Sequence, residues 1–434
     1  MLQCLCVGYG RMVFYIFLDV YRKLERHKHV DYSKVSFMVK TMLKDGVYCV
    51  GVVDWNMRDF HGYVTSRGTS YNAYIVKDEK TVLVDTVKAP FVGELVGNIS
   101  EIINLEELDY IIVNHVEMDH SSALPIVAKI AKNAKILSTQ RGKEELVKHY
   151  GHAFDSVETI KSGDTLRLGK KTLKFLEAPM LHWPDSMMTY IEEDKILLPN
   201  DAFGQHFASS YRFDDEVDNH ILMEEAAKYY ANILMLFAPL ITKKINEVIT
   251  MGIPIDIIGP SHGIIWRKNP MQIIQAYLDW SSGAAVHDKV VIVFDTMWES
   301  TDKMARAIAA GICSQNVETK ILKLRASNNT EAVTEILESK AVLAGSPTLN
   351  NGVFPTMGSF MTYITGLKPK DKLWGFFGSY GWGGGAVRGL MEMAKKASFE
   401  VYEPTLEIKW VPDETDLKKC FEFGQQFAQK LKSN

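Results

Sequence analysis

The sequence lacks the long apolar runs that a membrane-spanning helix needs. Its 434 residues contain no run of about 18 or more consecutive apolar residues, so no membrane span is expected. Residues 2–20 are fairly apolar, but Arg11 and Asp19 interrupt them and no positively charged region precedes them. This N-terminal stretch is therefore a poor signal peptide.

Cysteine is scarce, and the number of cysteines is odd. The sequence has five, and their spacing does not form a disulfide framework. They are Cys4, Cys6, Cys49, Cys313 and Cys420. Such cysteine usage fits a reducing compartment best, so we expect a cytoplasmic protein.

Neither basic nor acidic residues are in large excess. The sequence has 49 Lys and Arg against 53 Asp and Glu, which gives a formal net charge of −4. This balance gives no reason to expect nucleic acid binding. Apolar residues make up 47% and charged residues 24% of the chain, as is ordinary for a globular protein. The length suits about two or three domains.

The most informative stretch packs four potential metal ligands into six positions. His115, Glu117, Asp119 and His120 follow residues 110–113, an apolar run that reads as a buried strand. A helix-like start follows the cluster, so these side chains lie on a loop at the end of a strand. Such loops are where metal and catalytic groups collect. Two imidazoles and two carboxylates this close can bind more than one cation.

Three later stretches repeat this setting. His182, Asp201 and His262 each follow an apolar run and each lie on a predicted strand-to-loop exit. A solvated turn with a few charged residues is the alternative interpretation of the first cluster. The recurrence of metal-ligand residue types at three further strand ends disfavours that interpretation.

The pattern of these ligands resembles the metallo-β-lactamase superfamily. Its motif is His-x-His-x-Asp-His, followed by His, Asp and His on successive loops. This chain has Glu117 where hydrolases of the superfamily have histidine. A carboxylate adds negative charge and a hard oxygen donor, which suits iron better than zinc. The His-x-Glu-x-Asp-His form resembles the flavodiiron proteins, which carry a flavodoxin domain after the metal domain.

The first part of the chain shows strands in series interrupted by helices. This order fits the αββα sandwich of the lactamase fold. Residues 222–248 read as one long helix. The predicted strands are 47–52, 72–76 and 81–85, with more strands up to about 199, and the helix-like stretches lie near 92–104, 122–132 and 142–150.

The last third of the chain alternates strands and helices, which predicts a doubly wound parallel sheet. Its predicted strands are 289–295, 341–345 and 372–377, and a small polar break at 280–288 precedes them. We therefore divide the chain into an N-terminal extension of uncertain role (1–37), a metallo-β-lactamase-like di-iron domain (38–284) and a flavodoxin-like FMN-binding domain (285–434). The resemblance begins near Met38, which we expect to be the natural start.

A polar loop follows each of these three strands, at the end where such sheets bind ligands. Hydroxyl groups ahead of a helix N-terminus in the first loop indicate a phosphate site. Tyr380 and Trp382 in the third loop can lie against a flat ring, although they could also be ordinary surface aromatics. The loops resemble those of flavodoxin, which binds FMN; the first lacks the usual glycine and carries Trp298, a version usual in flavodiiron proteins. The predicted FMN-binding residues are Thr296, Met297, Trp298, Glu299, Ser300, Thr301, Ser346, Pro347, Thr348, Leu349, Asn350, Ser379, Tyr380, Gly381, Trp382 and Gly383.

The resemblance also implies a ligand set for two non-haem iron ions. Iron one takes His115, Glu117 and His182, iron two takes Asp119, His120 and His262, and Asp201 bridges them together with a solvent-derived oxygen. His61 lies near the metals without binding them, or is a plain structural histidine. His206 follows Asp201 closely and is a weaker candidate for contact with the site.

The function implied is reduction of dioxygen to water, of nitric oxide to nitrous oxide, or of both, with FMN relaying electrons to the two irons. No pair of Cys-x-x-Cys motifs is present for a rubredoxin module, so the donor is external: a separate rubredoxin or a reduced deazaflavin coenzyme. Family members are head-to-tail homodimers, and we expect a homodimer or a dimer of dimers. Two alternatives are a zinc-dependent hydrolase with a passive flavodoxin-like tail and a non-enzymatic electron carrier. Glu117 argues against the first, and the metal ligands argue against the second.

Overall fold

The computed structural model describes residues 41–433. The predicted extension, residues 1–37, lies outside the described residues, as do Cys4 and Cys6. Among the described residues, no helix is both long enough and apolar enough to cross a membrane.

The strands of the first half form two large sheets and two small ones. Up to residue 258, the described strands are β1 (Thr41–Lys44), β2 (Val47–Cys49), β3 (Val52–Asp54), β4 (Asp59–Phe60), β5 (Tyr63–Val64), β6 (Thr69–Tyr71), β7 (Tyr74–Lys77), β8 (Thr81–Val84), β9 (Tyr110–Ile112), β10 (Lys135–Ser138), β11 (Glu158–Thr159), β12 (Thr165–Arg167), β13 (Thr172–Glu177), β14 (Met187–Ile191), β15 (Ile196–Leu198) and β16 (Ile257–Ile258). One large sheet has the order β1-β2-β7-β8-β9-β10-β11 and the other runs from β12 to β16 in sequence order. The small sheets pair β3 with β6 and β4 with β5.

Strand β8 shows how the two large sheets and the helices form layers. Its residues are all buried, and successive side chains of a strand point to opposite faces. Val82 and Val84 belong to the apolar cluster that contains Leu173 of the second sheet. Leu83 belongs to a different cluster, which contains Leu95 of a helix. One face of the sheet therefore packs on the other sheet and the opposite face packs on helices, which confirms the predicted αββα sandwich.

The predicted helical stretches near 92–104, 122–132 and 142–150 each correspond to a helix of this half, whereas the helix over 270–282 was not predicted. The described helices are α1 (Val92–Ser100), α2 (Met118–Ser121), α3 (Leu124–Ile130), α4 (Gln140–Tyr150), α5 (Asn219–Tyr229), α6 (Ala238–Thr250) and α7 (Pro270–Ser282). The prediction of one regular helix over 222–248 was wrong. Helix α5 gives way to a π-helical segment (Tyr230–Leu234) and a 3-10 turn (Met235–Phe237) before α6 begins. Pro239 lies in the first turn of α6, where its missing N–H is tolerated, but it cannot continue a helix that precedes it.

The second half is a parallel sheet covered by helices. Its strands are β17 (His287–Phe294), β18 (Glu318–Lys323), β19 (Ser339–Leu349), β20 (Gly352–Val353), β21 (Leu373–Tyr380), β22 (Glu400–Val401) and β23 (Leu406–Lys409). Its helices are α8 (Ser300–Cys313), α9 (Asn329–Leu337), α10 (Pro355–Leu367), α11 (Ala386–Lys396) and α12 (Glu414–Ser433). The main strand order is β18-β17-β19-β21-β22, and all pairs along it are parallel. This is the doubly wound order 2-1-3-4-5, so the predicted fold of the second half is confirmed.

The two halves join through a short turn and share polar contacts. Helix α7 continues to Ser282, Gly283 ends it with a positive φ of 82°, and β17 begins at His287. The backbone N–H of Val64 donates to Thr330 Oγ1 across the junction, at 3.0 Å. The predicted domain limits, 38–284 for the di-iron domain and 285–434 for the FMN-binding domain, stay predictions.

Candidate metal and flavin sites

The structure brings together all seven side chains that the sequence marks as metal ligands. Each lies on a strand exit or on the short helix α2, and all except the partly buried His182 are buried. They form two groups in which the potential ligand atoms lie within 4.8 Å of one another. The first group is His115, Glu117, His182 and Asp201, and the second is Asp119, His120 and His262.

The first group places two imidazoles beside one carboxylate. Glu117 Oε2 lies 3.3 Å from His115 Nε2 and 3.2 Å from His182 Nε2. In the second group, Asp119 Oδ2 lies 3.1 Å from His262 Nε2, and Asp119 Oδ1 lies 3.4 Å from His120 Nε2. Each group therefore offers two ring nitrogens and one carboxylate, apart from Asp201.

Asp201 lies between the groups and turns one oxygen to each. Its Oδ2 is 3.2 Å from His182 Nε2 in the first group. Its Oδ1 is 3.0 Å from His120 Nε2 and 3.4 Å from His262 Nε2 in the second group. Ser261 Oγ donates to Oδ1 at 2.8 Å and holds the carboxylate in this orientation. This is the arrangement that a carboxylate bridging two cations requires.

The electrostatics of the cluster fit positive ions. Burial opposes the charge of Asp201, but the neighbouring imidazoles, His120 first, outweigh burial and hold its pKa well below the ordinary value. Burial lowers the pKa of His120, yet Asp119 and Asp201 outweigh it and raise that pKa to about 9. Both oxygens of buried Asp119 form no hydrogen bond with any residue that the structure describes. Buried polar atoms without partners are costly, and a cation would satisfy them. A donor set of imidazoles and three carboxylates fits iron better than an imidazole-rich zinc site.

Asp185 supports the predicted metal ligand His115, and sequence reasoning did not single it out. Its carboxylate accepts a hydrogen bond from His115 Nδ1 at 3.0 Å and from the backbone N–H of Val116 at 2.7 Å. The ring of His115 is thereby held with Nε2 facing Glu117. The available signal was a carboxylate three residues after His182, at the exit of the same strand.

The two other histidines near the cluster occupy different positions. His61 is largely exposed, and its Nε2 lies 2.6 Å from Glu117 Oε1, so it contacts a predicted ligand from the solvent side. That contact raises the pKa of His61. His206 is buried, with its ring centroid 4.8 Å from that of His262 and its Nδ1 2.7 Å from Thr69 Oγ1. His206 belongs to neither ligand group and packs beside the site.

A cavity of about 600 Å³ lies at the carboxyl ends of the second-half strands. It contains most of the predicted flavin-binding residues together with three that were not predicted: Asn351, Trp410 and Val411. The lining residues are Thr296, Met297, Trp298, Ser300, Pro347, Thr348, Leu349, Asn350, Asn351, Ser379, Tyr380, Gly381, Trp382, Gly383, Trp410 and Val411. The volume lies within the range of ligand pockets.

Three predicted flavin-binding residues do not line the cavity. The hydroxyl of Thr301 lies 2.9 Å from Ser379 Oγ and joins the first loop to the third. Ser346 Oγ accepts the backbone N–H of Phe354 at 3.1 Å and supports the second loop. Glu299 has a positive φ of 65° immediately before helix α8. Their predicted role in binding flavin stays a prediction.

The cavity offers one end suited to an anion and one suited to a flat ring. Thr296 Oγ1 is buried, and within residues 41–433 it has no hydrogen-bond partner. It lies beside the N-terminus of α8, where free backbone N–H groups and the helix dipole favour a phosphate. Trp298 and Trp382 also line the cavity and are 88% and 87% exposed, so their apolar ring faces are available to a flat ring. The residues present thus fit a phosphate-bearing flavin.

Comparison with known protein families divides the chain in the same way. Residues 69–263 match the family described as ODP family beta lactamase, and residues 292–424 match the flavodoxin family. The chain is therefore of the class in which a metallo-β-lactamase-like domain precedes a flavodoxin-like domain.

Relatives over nearly the full length define the family. A nitric oxide reductase from Moorella thermoacetica is 49% identical over 392 residues, which are 90% of this chain and 98% of that protein. An anaerobic nitric oxide reductase flavorubredoxin from Vibrio vulnificus is 42% identical over 391 residues, 89% of this chain and 79% of that protein.

Solved structures agree with these relatives. The rubredoxin oxygen:oxidoreductase of Desulfovibrio gigas has a TM-score of 0.89 at 38% identity, covering 91% of this chain and 99% of that one. The flavodiiron protein of Giardia intestinalis has a TM-score of 0.89 at 36% identity, covering 92% and 98%. The chain belongs to the flavodiiron protein family.

Proposed function

We propose that this protein is an oxidoreductase that reduces nitric oxide to nitrous oxide, dioxygen to water, or both. The observation that carries the proposal is the pair of buried ligand groups with Asp201 between them, in one chain with a flavin-shaped cavity. The relatives include a nitric oxide reductase and a rubredoxin oxygen:oxidoreductase, which supports both gases as substrates. The sequence predicts no preference between them.

His115, Glu117 and His182 would hold one iron ion and Asp119, His120 and His262 the other, with Asp201 bridging the pair. Two iron ions held by these residues would supply the redox chemistry for reducing a small molecule. Asp185 keeps the ring of His115 oriented, and Ser261 keeps Asp201 oriented between the groups. His61 contacts Glu117 from an exposed position, which supports a role for it beside the metals or in the substrate pocket.

The flavin cavity would hold FMN, whose redox chemistry would supply electrons for the reaction. Thr296 and the N-terminus of α8 would hold the phosphate, and Tyr380, Trp382 and Trp410 would lie around the ring. A separate rubredoxin is the expected donor, and the name of the Desulfovibrio gigas relative, rubredoxin oxygen:oxidoreductase, supports rubredoxin as the donor class. A reduced deazaflavin coenzyme is the second candidate for the donor. We expect the reaction to take place in the cytoplasm.

The two sites share no lining residue among those that the structure describes. Exposed apolar side chains border both: Trp298, Trp382 and Trp410 at the flavin cavity, and Met118 and Met180 on the loops that carry metal ligands. Apolar surfaces of this kind favour contact with another protein surface. A head-to-tail homodimer would bring the flavin of one subunit to the metals of the other, and a dimer of dimers would repeat this contact.

The function is tested by measuring gas consumption by anaerobically purified protein with known iron, zinc and FMN content. With a chemical reductant present, we expect consumption of nitric oxide, dioxygen or both by protein that contains iron and FMN. Zinc in both positions and consumption of neither gas would support the hydrolase alternative. Iron and FMN in place, with consumption of neither gas, would contradict the proposal.

The dimer is tested by mixing two variants of reduced activity, one with a defect at the metal cluster and one with a defect at the flavin cavity. Asp201→Asn removes the bridging carboxylate, and Trp382→Ala with Tyr380→Ala weakens the flavin site. Subunits mixed after separate purification and exchange should regain activity, because intact metals in one subunit then face intact flavin in the other. As the control, each variant is taken through the same subunit exchange alone and should gain no activity. No recovery in the verified mixed dimer would contradict the head-to-tail arrangement.

A further inference from the structure

A buried carboxylate lies directly behind the first loop of the flavin cavity. We name residues 295–301 the phosphate loop. Asp295 begins it, immediately after β17, and is completely buried. It does not line the cavity, and the proposed function gives it no role.

The carboxylate of Asp295 is held from three directions. Its Oδ1 accepts the backbone N–H of Thr296 at 2.7 Å and Nε of Arg325 at 2.9 Å. Its Oδ2 accepts the hydroxyl of Thr356 at 2.6 Å. The guanidinium of Arg325 also donates to the backbone carbonyl of Thr296. Both polar groups of the Thr296 backbone are therefore bound to the Asp295–Arg325 pair.

These contacts join segments that are distant in sequence. Arg325 lies shortly after β18, and Thr356 lies in the first turn of α10. The carboxylate therefore connects the phosphate loop to the loop after β18 and to the start of α10. Hydrogen bonds to a charged group are about twice as strong as neutral ones, so three of them to one buried carboxylate fix it firmly. The conformation of the loop thus depends on Asp295.

Thr296, whose backbone is held by Asp295 and Arg325, also has a side-chain oxygen that is free to bind a ligand. Thr296 lines the cavity, and its buried Oγ1 has no partner within the described part of the chain. A negative charge behind a phosphate site would by itself repel the phosphate. Arg325 forms an ion pair with that charge, which reduces the repulsion while the carboxylate keeps its hold on the loop.

We propose that Asp295, held by Arg325 and Thr356, is a positioning residue that sets the phosphate loop in its phosphate-binding shape before the flavin arrives. This inference rests on the proposed function, because it takes the cavity to hold FMN. Its consequence is selectivity: Asp295 acts on Thr296, the residue whose hydroxyl is available to a phosphate, so Asp295 favours FMN over riboflavin, the same ring system without a phosphate. A loop that is already ordered loses less entropy on binding, and affinity rises accordingly.

The test is titration of the full-length, flavin-free protein with FMN and with riboflavin, followed by flavin fluorescence. Asp295→Asn should weaken FMN binding about tenfold, because one charge-assisted contact network is lost. Riboflavin binding should not change. Thr356→Val, which removes a single hydroxyl and keeps the volume, should weaken FMN binding by a smaller factor, again without effect on riboflavin.

Glu335→Gln is the matched control. It removes the carboxylate that pairs with Lys289 near the opposite end of β17, away from the cavity, and should change neither affinity. Unchanged FMN affinity in both test variants, or an equal loss for FMN and riboflavin, would overturn the proposal and leave Asp295 a purely structural residue. If the wild-type protein binds neither flavin, the proposed function itself fails, which is a different outcome.

Discussion

The metal cluster and the flavin cavity are built in different ways. The metal cluster consists of side chains that are almost all buried, and each supplies a particular atom to one of two groups. The flavin cavity is an opening of about 600 Å³ between loops, with exposed tryptophans at its border. The first region is specified residue by residue, whereas the second is specified by the shapes of loops at strand ends. Substitutions should therefore act sharply in the first region and gradually in the second.

The largest effect is expected at Asp201, whose two carboxylate oxygens face the two metal groups. Asp201→Asn removes the charge shared by the two groups while keeping the side-chain volume. We expect iron content to fall and gas consumption to drop by more than about a hundredfold, because substitution of a ligand should cost more than the loss of an outer hydrogen-bond partner. Metal analysis measures the iron content, and flavin absorbance measures the flavin content of the same samples. Flavin content should be unchanged; a parallel loss of flavin would show that the two regions are not independent.

A smaller effect is expected at Asp185, which binds His115 by a hydrogen bond but is not itself a member of either ligand group. Asp185→Asn keeps the shape but weakens the hold on the ring of His115. Metal affinity should fall about 10-fold to 100-fold, in line with other outer hydrogen-bond partners of metal ligands. Competition with a chelator measures this. Metal affinity equal to wild type would mean that packing, including the nearby ring of Trp183, is enough to orient His115.

In the flavin region, a comparable substitution should act more weakly. Trp382→Ala removes one of the exposed rings beside the cavity, and we expect FMN affinity to fall about tenfold, as stacking contacts with aromatic side chains commonly contribute. Trp382→Phe should retain most of the affinity. Iron content should stay at the wild-type level in both variants. FMN titration of flavin-free protein measures the effect, and equal affinities for all three proteins would remove Trp382 from the site.

The smallest functional effect is expected at Lys372, which lies away from both sites. Burial lowers the pKa of Lys372 to about 8, and its ammonium donates to the backbone carbonyls of Leu337, at the end of α9, and Ser339, at the start of β19. The unfolded chain holds this proton up to about pH 10.4. Between these values the unfolded state binds more protons, so the contribution of Lys372 to stability rises with pH. Below about pH 8, Lys372 is protonated in both the folded and the unfolded state, so its contribution to stability does not change with pH.

Comparison with Lys372→Met isolates this contribution. The free energy of unfolding of the wild type relative to the variant should rise between about pH 8 and pH 10, with iron and flavin content unchanged at neutral pH. Denaturant titrations at several pH values measure it. A difference that does not vary with pH would show that the buried amine keeps its ordinary pKa.

The sequence alone allows the metal cluster to be predicted more fully than the flavin cavity. His115 and its partners follow apolar strands at diagnostic spacing, so the chemistry of each residue was visible before the fold was known. Asp185 escaped notice because a single aspartate in a loop is common, and its role depends on contacts with His115 and Val116.

The cavity residues that the sequence did not predict were missed for a different reason. Trp410 and Val411 reach the cavity because β23 pairs with β21, and that pairing places the loop after β23 beside the third loop. No local pattern in residues 406–411 reveals which strand they pair with. The interruption of the predicted helix over 222–248 likewise depends on packing: Asn232 in the π-helical segment accepts a hydrogen bond from Tyr363 of the other half.

The central claim is that flavin electrons reach a gas through the metal cluster, and single-turnover reoxidation tests it most directly. Protein loaded with iron and FMN is reduced anaerobically and mixed with nitric oxide or with dioxygen while flavin absorbance is followed. The account predicts rapid flavin reoxidation by at least one gas in the wild type, and reoxidation slower by more than about a hundredfold in Asp201→Asn with the same flavin content. Equal rates in the two proteins would show that the flavin reacts with the gas by itself, and would contradict the account.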